Sequence, residues 1–146
     1  MDRPPIIPAP ANGAVMPPLD GIHVLFVDDD DDARVIMKLS LELEGASIDV
    51  AASAPAALEK LATVTPDVIV TDIAMPPMDG YAFLARLKTS PAWCEIPVIA
   101  VTGISRVDGE AARFTDYLVK PVDPSAVAAA ILRVLAPGDV AVSPPR

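Results

Sequence analysis

Cysteine, aromatic residues and positive charge are all scarce in this chain. Cys94 is the single cysteine among 146 residues, so no internal disulfide can form and no oxidising compartment is implied. Phe, Tyr and Trp make up only 4% of the sequence, which argues against an aromatic-lined pocket. Lys and Arg number 11 against 20 Asp and Glu, a net charge of −9. So acidic a chain is a poor match for a phosphate backbone, which excludes nucleic acid as the expected partner. A basic protein or a cation fits better. No run approaches the ~20 apolar residues that cross a bilayer. The opening MDRPPIIPAPANG is broken by prolines and lacks an apolar stretch of secretory-signal length. The expectation is a soluble, cytoplasmic protein without a membrane partner.

What is abundant is Ala, Val and other apolar residues, 52% in all. That is enough to build one domain with a proper core, in a chain too short for two ordinary ones. Residues 1–20 hold six of the 17 prolines and show no hydrophobic periodicity; they predict a Pro-rich flexible arm. Residues 137–146 predict a similar tail, leaving residues 21–136 as the patterned domain. Within it, HVLFV (23–27), SIDVA (47–51), DVIVT (67–71), PVIAV (97–101) and DYLV (116–119) read as short strands. Helical stretches separate them. Val35, Leu39 and Leu43 recur on one face of the first helix, which Gly45 ends. Ala54–Ala62 makes a second helix, and Phe83, Leu84 and Leu87 point a third inward. Asp123-Pro124 opens a last helix with Val127, Ile131 and Val134 on one face. Strands alternating with helices predict an α/β fold, a doubly wound parallel sheet with helices on both faces. Ligands in such sheets bind beyond the carboxyl ends of the strands.

Those ends carry the chemistry. The first strand runs into Asp28–Asp32, the third ends at Asp72, the fourth at Thr102 and the fifth at Lys120. Carboxylates gathered in one cleft repel one another and need a cation to stay ionised together. Oxygen ligands suit a hard ion, and Mg2+ fits best because it favours a few carboxylates plus phosphate oxygens. With Mg2+ present, a carboxylate oxygen can attack phosphorus while a lysine and a hydroxyl hold the remaining phosphoryl oxygens. Asp30 to Asp32 read more simply as the loop, cap and first-turn charges of the next helix.

The motifs VLFVDDD, VIVTDIAMPPMDG, PVIAVT and DYLVKPVD occur in the order of the response-regulator receiver domains of two-component signalling, and residues 22–136 resemble that family. The resemblance implies a five-stranded sheet of order 2-1-3-4-5. It implies Asp72 as phosphoacceptor, with Mg2+ held by Asp28, Asp29, Asp72 and the main-chain carbonyl of Ala74. Thr102 would be the switch hydroxyl, Lys120 the phosphate-pairing amine next to a cis proline, and Tyr117 the aromatic that turns inward on phosphorylation. The expected partners are a sensor histidine kinase or a histidine phosphotransfer protein and an unknown downstream protein. With only residues 137–146 beyond the last helix, the expectation is a single-domain regulator or a phosphorelay intermediate, not an enzyme beyond its own phosphorylation and dephosphorylation.

The chain departs from the family pattern between Thr102 and Lys120, where it is shorter by about one helical turn. This predicts a shortened fourth helix and an altered output face. Small Ala74 and apolar Ile104 stand at positions that, by the same resemblance, flank the approach of hydrolytic water, which implies a long-lived phosphoryl state. Two other readings remain at this point. One is a small haloacid-dehalogenase-like phosphatase with Asp28 as nucleophile and Asp30 as acid/base. The other is a binding module of receiver fold that no longer uses phosphate.

Overall fold

The computed structural model describes residues 17–103 and 113–136. Five strands, β1 (His23–Val27), β2 (Ser47–Ala51), β3 (Val68–Asp72), β4 (Val98–Thr102) and β5 (Asp116–Val119), form one parallel sheet of order β2-β1-β3-β4-β5. Among the described residues four helices pack on it: α1 (Asp31–Leu43), α2 (Ala54–Leu61), α3 (Gly80–Lys88) and α4 (Pro124–Leu135). The helix expected between Thr102 and Lys120, its predicted shortening, and Ile104 lie outside the described residues.

Every residue of β3 and β4 is buried, because helices cover both sides and alternate side chains enter two separate cores. Leu25, Ile69, Val98 and Ala100 face α2 and α3, where Ala57, Leu61, Phe83, Leu84 and Leu87 meet them. Val24, Phe26, Val70, Ile99 and Val101 face Met37 and Leu41 of α1 and Val127, Ala130 and Ile131 of α4. The helix starts are capped by side-chain oxygens of Asp30, Ser53, Asp79 and Asp123, each accepting from main-chain N–H groups of the first turn. Gly45 follows α1 at φ +100, the left-handed conformation its position suggested.

The structure refines three expectations. The Val35–Leu39–Leu43 face of α1 does not point into the core. Val35, Leu39 and Leu43 are 57%, 59% and 85% exposed, and Ile36 beside them is 55% exposed. The buried face is Met37 and Leu41, on the opposite side of the helix. Fourfold spacing identified a stripe but could not say which of two apolar stripes meets the sheet. The second correction concerns the N-terminal arm. Leu19, inside the stretch assigned to it, is fully buried in the α1–α4 core, and its N–H donates to the carbonyl of Glu44 at 2.8 Å. The packed structure therefore includes residues before 21. Strands β3 and β4 also begin one residue later than the apolar runs suggested. Asp67 is instead tied to His23, donating from its main chain to the His23 carbonyl and accepting the His23 N–H on its carboxylate, both at 2.8 Å.

The two stripes of α1 should separate cleanly in stability. Leu41→Ala removes a fully buried side chain and is expected to cost about 2–4 kcal/mol, whereas Leu39→Ala should stay within about 0.5 kcal/mol of wild type. Urea unfolding of the two variants measures both.

Candidate functional site

The sheet delivers its polar strand ends to one edge. Asp28 follows β1 and is buried, Asp72 ends β3 and is buried, and exposed Asp29 stands beside Asp28. One carboxylate oxygen from each of the three lies within 4.8 Å of the others. Lys120, just past β5, reaches back so that its Nζ donates to Asp72 Oδ2 at 3.0 Å. The Lys120–Pro121 peptide is cis. Thr102 ends β4, is buried, and accepts the main-chain N–H of Lys120 on its own carbonyl at 2.7 Å. Residues from four strands thus meet at one edge although up to 92 positions separate Asp28 from Lys120 in the sequence.

Local interactions fix each part. Asp28 is held by its N–H donating to the Ala51 carbonyl at 3.1 Å, and its Oδ1 accepts the Asp30 N–H at 3.0 Å. The Thr71 hydroxyl donates to the Asp72 carbonyl at 2.9 Å, and the Ala74 N–H approaches Asp72 Oδ1 at 3.4 Å. The turn that follows is anchored by buried Met75, with Met78 packed against the same core while Pro76 and Pro77 stay exposed. Gly80 is required by closeness. A Cβ there would come within 2.8 Å of both the Asp72 carbonyl oxygen and the Ile73 Cα, so only glycine lets α3 start against the back of Asp72.

The electrostatics follow from this crowding. Burial raises the pKa of the Asp28 carboxyl above the ordinary value; the charges of Asp72 and Asp29 add to the rise, against the Asp30 N–H and Lys120. Burial alone would lower the Lys120 pKa, but its bond to Asp72 and the charges of Asp28 and Asp29 outweigh that and raise it. Lys120 is therefore a fixed cation here. The three carboxylates together carry more negative charge than one ammonium offsets, and their oxygens suit a hard divalent ion. The donor set fits Mg2+.

Beside this cluster a cleft of about 570 Å3 opens between α1 and the β5–α4 turn. Ile36 and Met37 line one side, Pro121, Val122 and Pro124 the other, with Asp28 and Lys120 in its wall. Tyr117 lies on β5 and is 38% exposed. Asp30 spends its carboxylate on the N-terminus of α1, accepting from Asp32 and Ala33. This is the cap role expected of it, although Asp30 also lines the cleft together with Asp28.

The response regulator receiver domain model matches residues 24–132, three-quarters of the sequence. The chain belongs to the response-regulator receiver family. A 14.6 kDa protein from the sodA1 3' region of Leptolyngbya boryana is 41% identical over 113 residues, covering 75% of this chain and 86% of that one. The response regulator PleD of Caulobacter vibrioides is 32% identical over 69% of this chain but matches only 23% of its own length. Among solved structures, the chemotaxis response regulator CheY4 of Vibrio cholerae superposes with a TM-score of 0.73 at 30% identity, covering 78% of this chain and 98% of that one. Receivers bind Mg2+ at an acidic pocket and interact with histidine kinases or phosphotransfer proteins. Among the described residues, no helix of this receiver is long and apolar enough to cross a membrane.

The sequence pointed to Asp28, Asp29, Asp72, Thr102 and Lys120. It missed Thr71, which holds the Asp72 carbonyl, and Arg34, which donates to the Asp28 carbonyl. A lone arginine just after five aspartates was the available signal for Arg34. Nothing in the local pattern distinguished Thr71.

Crowding of the acids has a measurable cost. A raised folded-state pKa means Asp28 contributes stability below its ordinary carboxylate range and loses it as pH rises through the raised value. Without Mg2+, Asp28→Asn is therefore expected to melt about 2–5 °C higher than wild type at pH 7, with the gap narrowing toward pH 4. Saturating Mg2+ should reverse the order, because only wild type retains the full ligand set. Thermal melts at pH 4 and 7, with EDTA and with Mg2+, read each of these outcomes.

Proposed function

We propose that this receiver is a single-domain response regulator, whose working unit is residues 21–136 together with the packed turn at Leu19. Asp72 accepts a phosphoryl group from a histidine kinase or phosphotransfer protein, or from a small donor such as acetyl phosphate. Output passes by protein contact or by relay to a further histidine. The observation that carries this reading is the 3.0 Å contact between Lys120 Nζ and Asp72 Oδ2 at the point where the Asp28 and Asp29 carboxylates also gather. A lysine pairing an acceptor carboxylate beside a divalent-cation site is the apparatus of phosphoryl transfer to aspartate.

In the reaction an Asp72 oxygen forms the new bond to phosphorus. The bond from phosphorus to the donor's imidazole nitrogen breaks, and that nitrogen keeps the electron pair. Asp28, Asp29, Asp72 and the Ala74 carbonyl would hold Mg2+, which would supply positive charge to offset that on the transferring oxygens. Lys120 moves its hydrogen bond from the free carboxylate to a phosphoryl oxygen, and the Thr102 hydroxyl turns to another. Tyr117, on the strand joined to β4 at Thr102, follows that movement and alters the surface around β5. Ala74 offers hydrolytic water no polar side chain, and Ile104, two past Thr102 in the sequence, is apolar, so the phosphoryl group persists.

The exposed stripe of α1 supplies the surface for the phosphodonor. Ile36 belongs both to that stripe and to the cleft beside Asp28 and Lys120. An apolar helix face laid along Val35, Leu39 and Leu43 would bring its reactive side chain over the cleft.

Two measurements test this function. Incubation with a panel of histidine kinases and radiolabelled ATP should label wild type and leave Asp72→Asn unlabelled; equal labelling of both rules out Asp72 as acceptor. The double variant Leu39→Asp/Leu43→Asp should accept phosphoryl groups from the kinase about tenfold more slowly or worse. Its labelling by acetyl phosphate, which needs no docking surface, should be unchanged.

A further inference from the structure

Arg34 sits in the second turn of α1, but its guanidinium folds back over the acidic run that precedes the helix. Nη1 donates to the main-chain carbonyl of Asp28 at 2.7 Å, and Nη2 pairs with the Asp31 carboxylate. The Arg34 N–H donates to the Asp30 carbonyl at 3.1 Å. Only 17% of the side chain is exposed, although arginines ordinarily keep to water. One residue thus ties the end of β1 to the start of α1 from both its backbone and its side chain.

We propose that Arg34 is a positioning residue for Mg2+ binding, an inference that rests on the phosphoacceptor reading of this site. The Asp28 carbonyl belongs to the peptide plane joining Asp28 to Asp29. Holding that oxygen fixes the tilt of the plane, and with it the direction in which the Asp29 side chain leaves the backbone. Asp28 is secured from its other side by the Ala51 carbonyl and buried by its surroundings. Asp29 is exposed, so its approach to Asp28 and Asp72 depends on the backbone that carries it. Planar and forked, a guanidinium can hold a carbonyl and a carboxylate at once; a lysine ammonium is a point charge on a flexible stem.

A positioning role and a purely electrostatic one predict opposite signs. As a charge, Arg34 reduces the negative potential of the acidic edge, so removing it should tighten cation binding. As a strap, it keeps the ligands convergent, so removing it should weaken binding despite the added negative charge. Groups outside the metal's own ligands commonly change affinity by about 10–100-fold through orientation alone.

Calorimetric Mg2+ titration of the full chain distinguishes these, alongside acetyl phosphate labelling as a function of Mg2+ concentration. Arg34→Gln is expected to raise the Mg2+ dissociation constant about tenfold. The half-saturating Mg2+ for labelling should move by the same factor, while the labelling rate at saturating Mg2+ stays within about threefold of wild type. Arg34→Lys, with its charge kept and its fork lost, should fall between the two. Unchanged or tighter Mg2+ binding by Arg34→Gln overturns the proposal. Should circular dichroism show that variant unfolded, wild-type affinity in Arg34→Lys overturns it instead. Wild type that binds no Mg2+ at all overturns the site reading together with it.

Discussion

Three carboxylates held within 4.8 Å of one another, two of them buried, would not persist without a fold that forces them together. Their mutual repulsion is the constraint around which this receiver is organised. Lys120 offsets part of it by pairing with Asp72, and the remaining charge makes the edge a place where a divalent cation is welcome. The rest of the fold serves to hold that edge rigid. Strands β3 and β4 are buried along their whole length, so Asp72 and Thr102 emerge only where the sheet stops. Gly80 lets α3 close against the Asp72 carbonyl.

Helix α1 has a divided role. Its Met37–Leu41 face holds it to the sheet, and its opposite face offers Val35, Ile36, Leu39 and Leu43 to solvent. A helix apolar on two sides is costly for solubility unless one side has a use. The acidic chain around it, at a net charge of −9, keeps such a surface from promoting indiscriminate association. Ile36 joins the outer stripe to the cleft beside Asp28 and Lys120.

Most of the fold was legible in the sequence because its signals are local. Alternating apolar runs and helical spacings are one-dimensional, and Gly45, Asp30 and Asp123 declare helix ends through their own backbone and side-chain chemistry. Strands β1, β2 and β5 fell where their apolar runs stood. The candidate site was legible for a different reason. A parallel sheet with connecting helices sends every strand end to the same edge, so polar residues after successive strands must become neighbours whatever lies between them. Where both neighbouring faces of an element are apolar, that logic stops, as the outer stripe of α1 and the buried Leu19 show.

The sequence by itself determined the class of sheet, the gathering of Asp28, Asp72, Thr102 and Lys120 at one edge, and the capping residues of the helices, since each depends on order, period or neighbouring atoms along the chain. Only the tertiary structure decided which stripe of α1 meets the core, that Leu19 belongs to it, that Lys120 reaches Asp72 at 3.0 Å, and that Arg34 reaches back to the Asp28 carbonyl. Those outcomes depend on distances between segments far apart in sequence, or on the direction a long side chain takes. Both are set by packing in three dimensions and leave no periodic trace along the chain.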